Sequence, residues 1–104
     1  MNFKLISKNY PKAFRKLSNE YPSFELDKNR FVIKYTDGLH AVLMTDDFFI
    51  RNLYDFFDKQ RIFVWVHKNG DLWFNNLNRV DSKSRPKAES AAFNRAFKIL
   101  EGKL

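Results

Sequence analysis

The chain has 104 residues and no cysteine, which suits a single domain over 1–104 and excludes disulfides and thiolate metal sites. Its hydrophobic share of 44% and aromatic share of 17% mark a folding chain rather than a disordered one, and no apolar run is long enough to span a bilayer. Net charge is +7 and uneven: residues 1–36 hold 8 Lys and Arg against 3 acids, 37–58 hold 1 against 5, and 59–104 hold 10 against 4.

Met1–Ser7 alternates weakly, with Phe3 and Leu5 on one side, and reads as a short edge strand. Asn9 offers an N-cap, and Pro11 sits in a first turn, where a missing N–H costs nothing. Tyr10, Ala13, Phe14, Leu17 and Tyr21 recur at helical spacing, so a first helix is expected over residues 10–21, stopped by Pro22. Ser23–Asn29 reads as a polar connection. Arg30–Thr36 and Leu39–Met44 flank Asp37-Gly38, a dipeptide favoured in type I′ turns. This predicts a hairpin pairing Ile33 with Val42, Lys34 with Ala41, Tyr35 with His40 and Phe31 with Met44.

Thr45-Asp46-Asp47 suits a helix start, with acidic groups in the first turn. Phe49, Ile50, Leu53, Tyr54, Phe56 and Phe57 then form an apolar stripe on a second helix reaching about Gln60. The next stretch, RIFVWVHKNGDLWFNNL, organises the chain. With Asn69-Gly70 as a two-residue type I′ loop, Ile62–His67 pairs with Asp71–Asn76. In that register Lys68 faces Asp71, His67 faces Leu72, Val66 faces Trp73, Trp65 faces Phe74 and Val64 faces Asn75. One face carries Ile62, Val64, Val66, Trp73 and Leu77, and the other Phe63, Trp65, Leu72 and Phe74. Both are apolar, so the second face calls for a cover: a helix, a copy of the chain, or a partner.

Leu77–Arg85 is a polar, basic loop, and Pro86 begins a third helix with Ser84 or Arg85 at its boundary. Ala88, Ala92, Phe93, Ala96, Phe97, Ile99, Leu100 and Leu104 cover about half its circumference. Gly102 is expected to stop it. The order α-ββ-α-ββ-α predicts an α+β domain, its helices packed on one four-stranded antiparallel sheet built from two hairpins.

Part of this pattern is familiar. SRPKAESAAFNRAFKILEGKL resembles the C-terminal tail of many small uncharacterised proteins of bacteriophages and prophages, especially from gut Bacteroidales. NLYDFFDKQRIFVWV followed by a short hairpin resembles their middle portion. The resemblance covers about the last half of the chain. It implies a phage-type accessory protein, and it carries no active site to transfer.

The chemistry-bearing residues are sparse. His40 and His67 stand on different hairpins with no second ligand at metal spacing, so no metal or other cofactor is expected. Gly38, Gly70 and Gly102 fall at turns or caps rather than in a phosphate loop. Asp46, Asp47, Asp55 and Asp58 form the one carboxylate cluster and read as a solvated helix face with a cap. Arg79, Lys83, Ser84, Arg85 and Lys87 lead into a helix N-terminus and are the candidate phosphate contacts. Phe63, Trp65 and Phe74, with Arg61 and Lys68 beside them, are the candidate interaction aromatics, unless the first and third helices bury them. The expected function is a small non-enzymatic accessory module, with no small-molecule substrate, that binds an unidentified protein or a second copy of itself. The alternative is nucleic-acid binding, favoured by the basic balance. The N-terminus lacks the apolar core of a secretory signal, so a soluble, cytoplasmic protein without membrane contact is expected.

Overall fold

A computed structural model describes the backbone of residues 1–21, 24–27, 30–34, 41–43 and 46–104, and the side chains of residues 1–21 and 50–104. In chain order its elements are α1 (Phe3–Asn9), α2 (Pro11–Glu20), β1 (Phe24–Asp27), β2 (Arg30–Lys34), β3 (Ala41–Leu43), α3 (Asp46–Lys59), β4 (Val66–Asn69), β5 (Leu72–Asn75) and α4 (Arg85–Lys103).

The expected four-stranded sheet does not form. The strands divide into an antiparallel three-stranded sheet, in the order β1-β2-β3, and a separate two-stranded one, β4-β5. Two edges are already occupied. The segment expected as a polar connection supplies β1, which pairs Phe24 with Ile33 and Asp27 with Arg30 and so fills one side of β2. On the far side of β5, the Trp73 N–H donates to the Ser82 carbonyl at 2.7 Å and the Ser82 N–H donates to the Trp73 carbonyl at 2.8 Å. Each hairpin thus satisfies a backbone edge locally. The β2–β3 register is as predicted, with Val32 opposite Leu43, Ile33 opposite Val42 and Lys34 opposite Ala41. The Asp37-Gly38 turn, the pairs Tyr35–His40 and Phe31–Met44, and the Thr45 cap involve positions outside the described residues.

The N-terminus is helical, not an edge strand. Asn2 caps α1 by accepting the Leu5 N–H at 3.0 Å. Phe3 and Ile6, one turn apart, are buried, while Leu5 is 51% exposed. Period-three burial outweighed the weak alternation of Phe3 and Leu5. Asn9 is the last residue of α1, and Tyr10 holds the N-cap position of α2 with no side-chain hydrogen bond. The cap comes from the far end of the chain: the Glu101 carboxylate accepts the Ala13 N–H at 2.9 Å and the Lys12 N–H at 3.4 Å.

Helix α3 ends in a hydrogen-bonding pattern of the Schellman type. The Ile62 N–H donates to the Phe57 carbonyl at 2.9 Å, and the Arg61 N–H donates to that of Asp58 at 3.0 Å. Arg61 holds the left-handed conformation this requires, with φ of 59°. Helix α4 starts at the N-cap Ser84 and runs through Gly102, which therefore is not its stop. Leu104, expected on its apolar stripe, is 45% exposed.

The core gathers Phe3 and Ile6, Ala13 and Leu17, Leu53, Phe56 and Phe57, Ile62 and Val64, and Ala92, Phe93, Ala96, Phe97 and Leu100. Phe57 sits at its centre. Its ring is stacked on Phe93 at 5.8 Å between centroids and meets Phe56 and Phe97 edge-on at 5.1 and 4.9 Å. Phe97 is fully buried as predicted, whereas Trp73 is only half-buried.

In the β4–β5 hairpin, Val66 pairs with Asn75, His67 with Phe74, Lys68 with Trp73 and Asn69 with Leu72. The predicted pairs Val66–Trp73 and His67–Leu72 are therefore displaced by two residues. The loop is Gly70-Asp71, not Asn69-Gly70. Gly70 has φ of 64°, and neither Asn69 nor Asp71 has positive φ. A glycine at the first central position is the type II′ arrangement; type I′ would force Asn69 into the left-handed region as well. A shift of two is even, so every side chain keeps its predicted face.

Candidate binding surface

Between α3 and β4 the chain alternates sharply. Ile62 and Val64 are buried, while Phe63 and Trp65 are 61% and 53% exposed. The inner pair joins the core under α4, so the outer pair has to face outward. No helix of the described residues covers them, contrary to the expectation that α2 and α4 would. His67 continues the outer row, its ring 5.2 Å from Trp65 and 5.6 Å from Phe74 between centroids. Phe74 is half-buried. The sequence-predicted aromatics Phe63, Trp65 and Phe74 thus share one face, with His67 among them.

Ile62–Trp65 precede the regular ladder, yet their backbone is held. The Asn76 side chain donates to the Phe63 carbonyl at 2.6 Å and accepts the Trp65 N–H at 2.9 Å, and the Asn76 N–H donates to the Trp65 carbonyl at 3.2 Å. One amide stands in for a strand partner and fixes the backbone that carries the two exposed rings. Nothing in the local sequence signals this, because the contact depends on the shifted register. Arg61, exposed and left-handed, lies two residues before Phe63.

The basic loop is ordered by its own asparagines. Asn75 Oδ1 accepts the Leu77 N–H at 3.0 Å and also the Asn78 N–H, and Asn78 Oδ1 accepts the Val80 N–H at 3.0 Å. The Ser82–Trp73 bridge closes the loop. Arg79, Lys83, Arg85 and Lys87 are all exposed near the start of α4, and Ser84 is half-buried. The helix N-terminus itself has little left for an anion. Pro86 lacks an N–H, and the Lys87 N–H is directed at the Ser84 hydroxyl at 3.4 Å. The Arg85 side chain leans to Glu89 at 3.8 Å. Any phosphate contact there therefore rests on side chains rather than on the helix end.

The carboxylates divide by burial. Asp55 and Asp58 are exposed on α3, and the side chains of Asp46 and Asp47, like His40, lie outside the described residues. Among the described residues no group of three or more His, Cys, Asp or Glu is placed to hold a metal ion. Two of the four acids between residues 59 and 104 are used inside the fold. Glu101 caps α2, and Glu89, 6% exposed, accepts the Tyr54 hydroxyl at 2.8 Å. Burial first, and then this bond to a carboxylate, push the Tyr54 phenol well above its ordinary range. Only Asp71 and Asp81 remain as exposed acids of this span. Of its ten Lys and Arg, Lys59 pairs with Glu20 and Arg85 with Glu89. The other eight are exposed and form no ion pair with a described residue. Eight cations free of ion pairs with described residues thus stand against two exposed acids in this half.

Compared with known protein families, with curated proteins and with solved structures, the chain matches none. Among the described residues no helix is long and apolar enough to cross a membrane.

Proposed function

We propose that this protein is a small accessory module of phage or mobile-element type that acts by binding rather than by catalysis, with the row Phe63, Trp65, His67 and Phe74 as its contact surface. One observation carries the reading: Phe63 and Trp65 are 61% and 53% exposed on a backbone that Asn76 holds in place. Large aromatics left outside a well-formed core are the side chains that anchor interfaces. They bring contact area with little rotamer entropy to lose, and here the backbone is ordered in advance. The phage-type part of the reading rests on the resemblance of the C-terminal half to small uncharacterised phage proteins, which implies an accessory role.

The row suits a protein partner, where aromatics fill pockets, and equally a nucleic acid, where they stack on bases. The test is capture from a bacterial lysate by immobilised protein, before and after nuclease. The Phe63→Ala/Trp65→Ala double variant is expected to keep its melting temperature and lose the bound species. A double variant that retains everything the wild type captures removes the row from the contact surface.

A further inference from the structure

We propose that the aromatic row takes a single-stranded nucleic acid, bases stacked on Phe63 and Trp65 and phosphates met by Arg61 and neighbouring cations; this rests on the row being the contact surface. Charge identifies the occupant. The fold buries Glu89 and ties Glu101 to the N-terminus of α2, while eight cations of the same span stay exposed and unpaired with any described residue. Protein interfaces are depleted in lysine, whereas a polyanion draws its affinity from such groups.

Arg61 sharpens this choice. Its φ of 59° is a conformation glycine would adopt without strain, and its side chain is exposed two residues before Phe63. An arginine kept at a strained position beside the row supplies a cation where a backbone phosphate would run.

Ring spacing selects the single strand. Alternate residues of an extended chain recur about 7 Å apart, whereas bases of a duplex step by about 3.4 Å along each strand. Successive bases reach successive side chains only when unstacked, and a duplex hides the base faces that Phe63 and Trp65 would meet. His67, 5.2 Å from Trp65 and 5.6 Å from Phe74, extends the ring surface along the row.

The experiment is fluorescence anisotropy with a labelled single-stranded oligonucleotide of about 16 residues, the upper site size of one small fold, and with its duplex, at low and near-physiological salt. The single strand is expected to bind more tightly than the duplex. Phe63→Ala and Trp65→Ala should each weaken it by roughly fivefold to a hundredfold, the range for losing one stacked base. Arg61→Gly should weaken binding and flatten the salt slope by about one unit. It should not lower the melting temperature, because glycine relieves the left-handed position; a merely structural Arg61 would leave binding unchanged. Equal affinity for strand and duplex, or unchanged affinity in the two aromatic variants, overturns the proposal. So does the absence of oligonucleotide binding at low salt. In that last case the double aromatic variant and the wild type are compared on nuclease-treated lysate. A protein lost only by the variant means that the surface stands and the occupant was wrong. No difference means that the surface itself falls.

Discussion

The Glu101 Oε1 atom in the last turns of α4 lies 2.9 Å from the backbone nitrogen of Ala13, in the first turn of α2. One carboxylate thus ties two helices that are far apart in sequence, and it meets the positive end of the α2 dipole. Tyr10, at the N-cap, offers no side-chain acceptor of its own. Glu101→Ala should therefore cost about 0.5–2 kcal/mol, the range for losing a helix N-cap. Glu101→Gln, which keeps an acceptor but no charge, should cost less. Urea denaturation of the two variants measures both, and a loss in Glu101→Ala below about 0.3 kcal/mol, near the size of a weak surface pair, would show that the cap is not used.

The bond between half-buried Tyr54 and buried Glu89 predicts behaviour in alkali. The phenol is raised by burial and by its bond to Glu89. Folding therefore favours the protonated phenol. That contribution is fully present below the unfolded value near pH 10 and is lost as pH rises towards the higher folded value. Tyr54→Phe should flatten the fall in stability above about pH 10. At neutral pH it should cost about 1–3 kcal/mol, because a buried carboxylate loses its hydroxyl donor. Melting curves across the alkaline range, compared with the wild type, test the sign and the size.

Where the sequence held a dense periodic signal, the fold could be read from it. The stripes Ala13–Leu17, Leu53–Phe57 and Ala92–Phe97 are buried as their spacing implied. The faces of the β4–β5 hairpin were also legible, because alternation survives an even shift. The single sheet, the turn and the caps were not. Phe24–Asp27 is too short a run to announce β1, and its pairing with β2 depends on the chain returning. The Asn69-Gly70 signal was real as a turn signal, yet glycine serves the first place of a type II′ loop as well as the second place of a type I′ loop. Glu101, Asn76 and Ser82 act across long or irregular distances that no local spacing encodes. For the candidate surface, the aromatics were identifiable in advance, whereas their exposure depended on which face the core took.

The hairpin register makes a direct prediction for NMR. Both Trp73 backbone groups bond to Ser82, so the Lys68–Trp73 pair carries no hydrogen bonds, and Val66–Asn75 shares its parity. Such pairs bring their Cα atoms closest, at about 4.5 Å. Strong Hα–Hα contacts are expected between Lys68 and Trp73 and between Val66 and Asn75; strong His67–Leu72 and Trp65–Phe74 contacts instead would restore the Asn69-Gly70 loop. Gly70→Val tests the turn by stability. A Cβ there meets nothing within 4 Å, so the cost comes mainly from the φ of 64°, at least about 1–2 kcal/mol, since a β-branched residue resists positive φ.

Asn76 makes the candidate surface rigid, and its removal should separate order from stability. Its side chain holds the Phe63 carbonyl at 2.6 Å and the Trp65 N–H at 2.9 Å, yet the residue is exposed. Water can satisfy these groups once the amide is gone, so Asn76→Ala should cost only about 0.5–1.5 kcal/mol for each bond lost. The larger effect should be local. The Trp65 amide should exchange with solvent faster in the variant, while amides of α4 around Phe93 and Phe97 keep their protection relative to global unfolding. Asn76→Asp preserves the acceptor for the Trp65 N–H and loses the donor to Phe63, so its Trp65 exchange should fall between the two. Equal Trp65 exchange rates in the wild type and Asn76→Ala would mean that Ile62 and Val64, packed in the core on either side of Phe63, are enough to hold the aromatic row without the clamp.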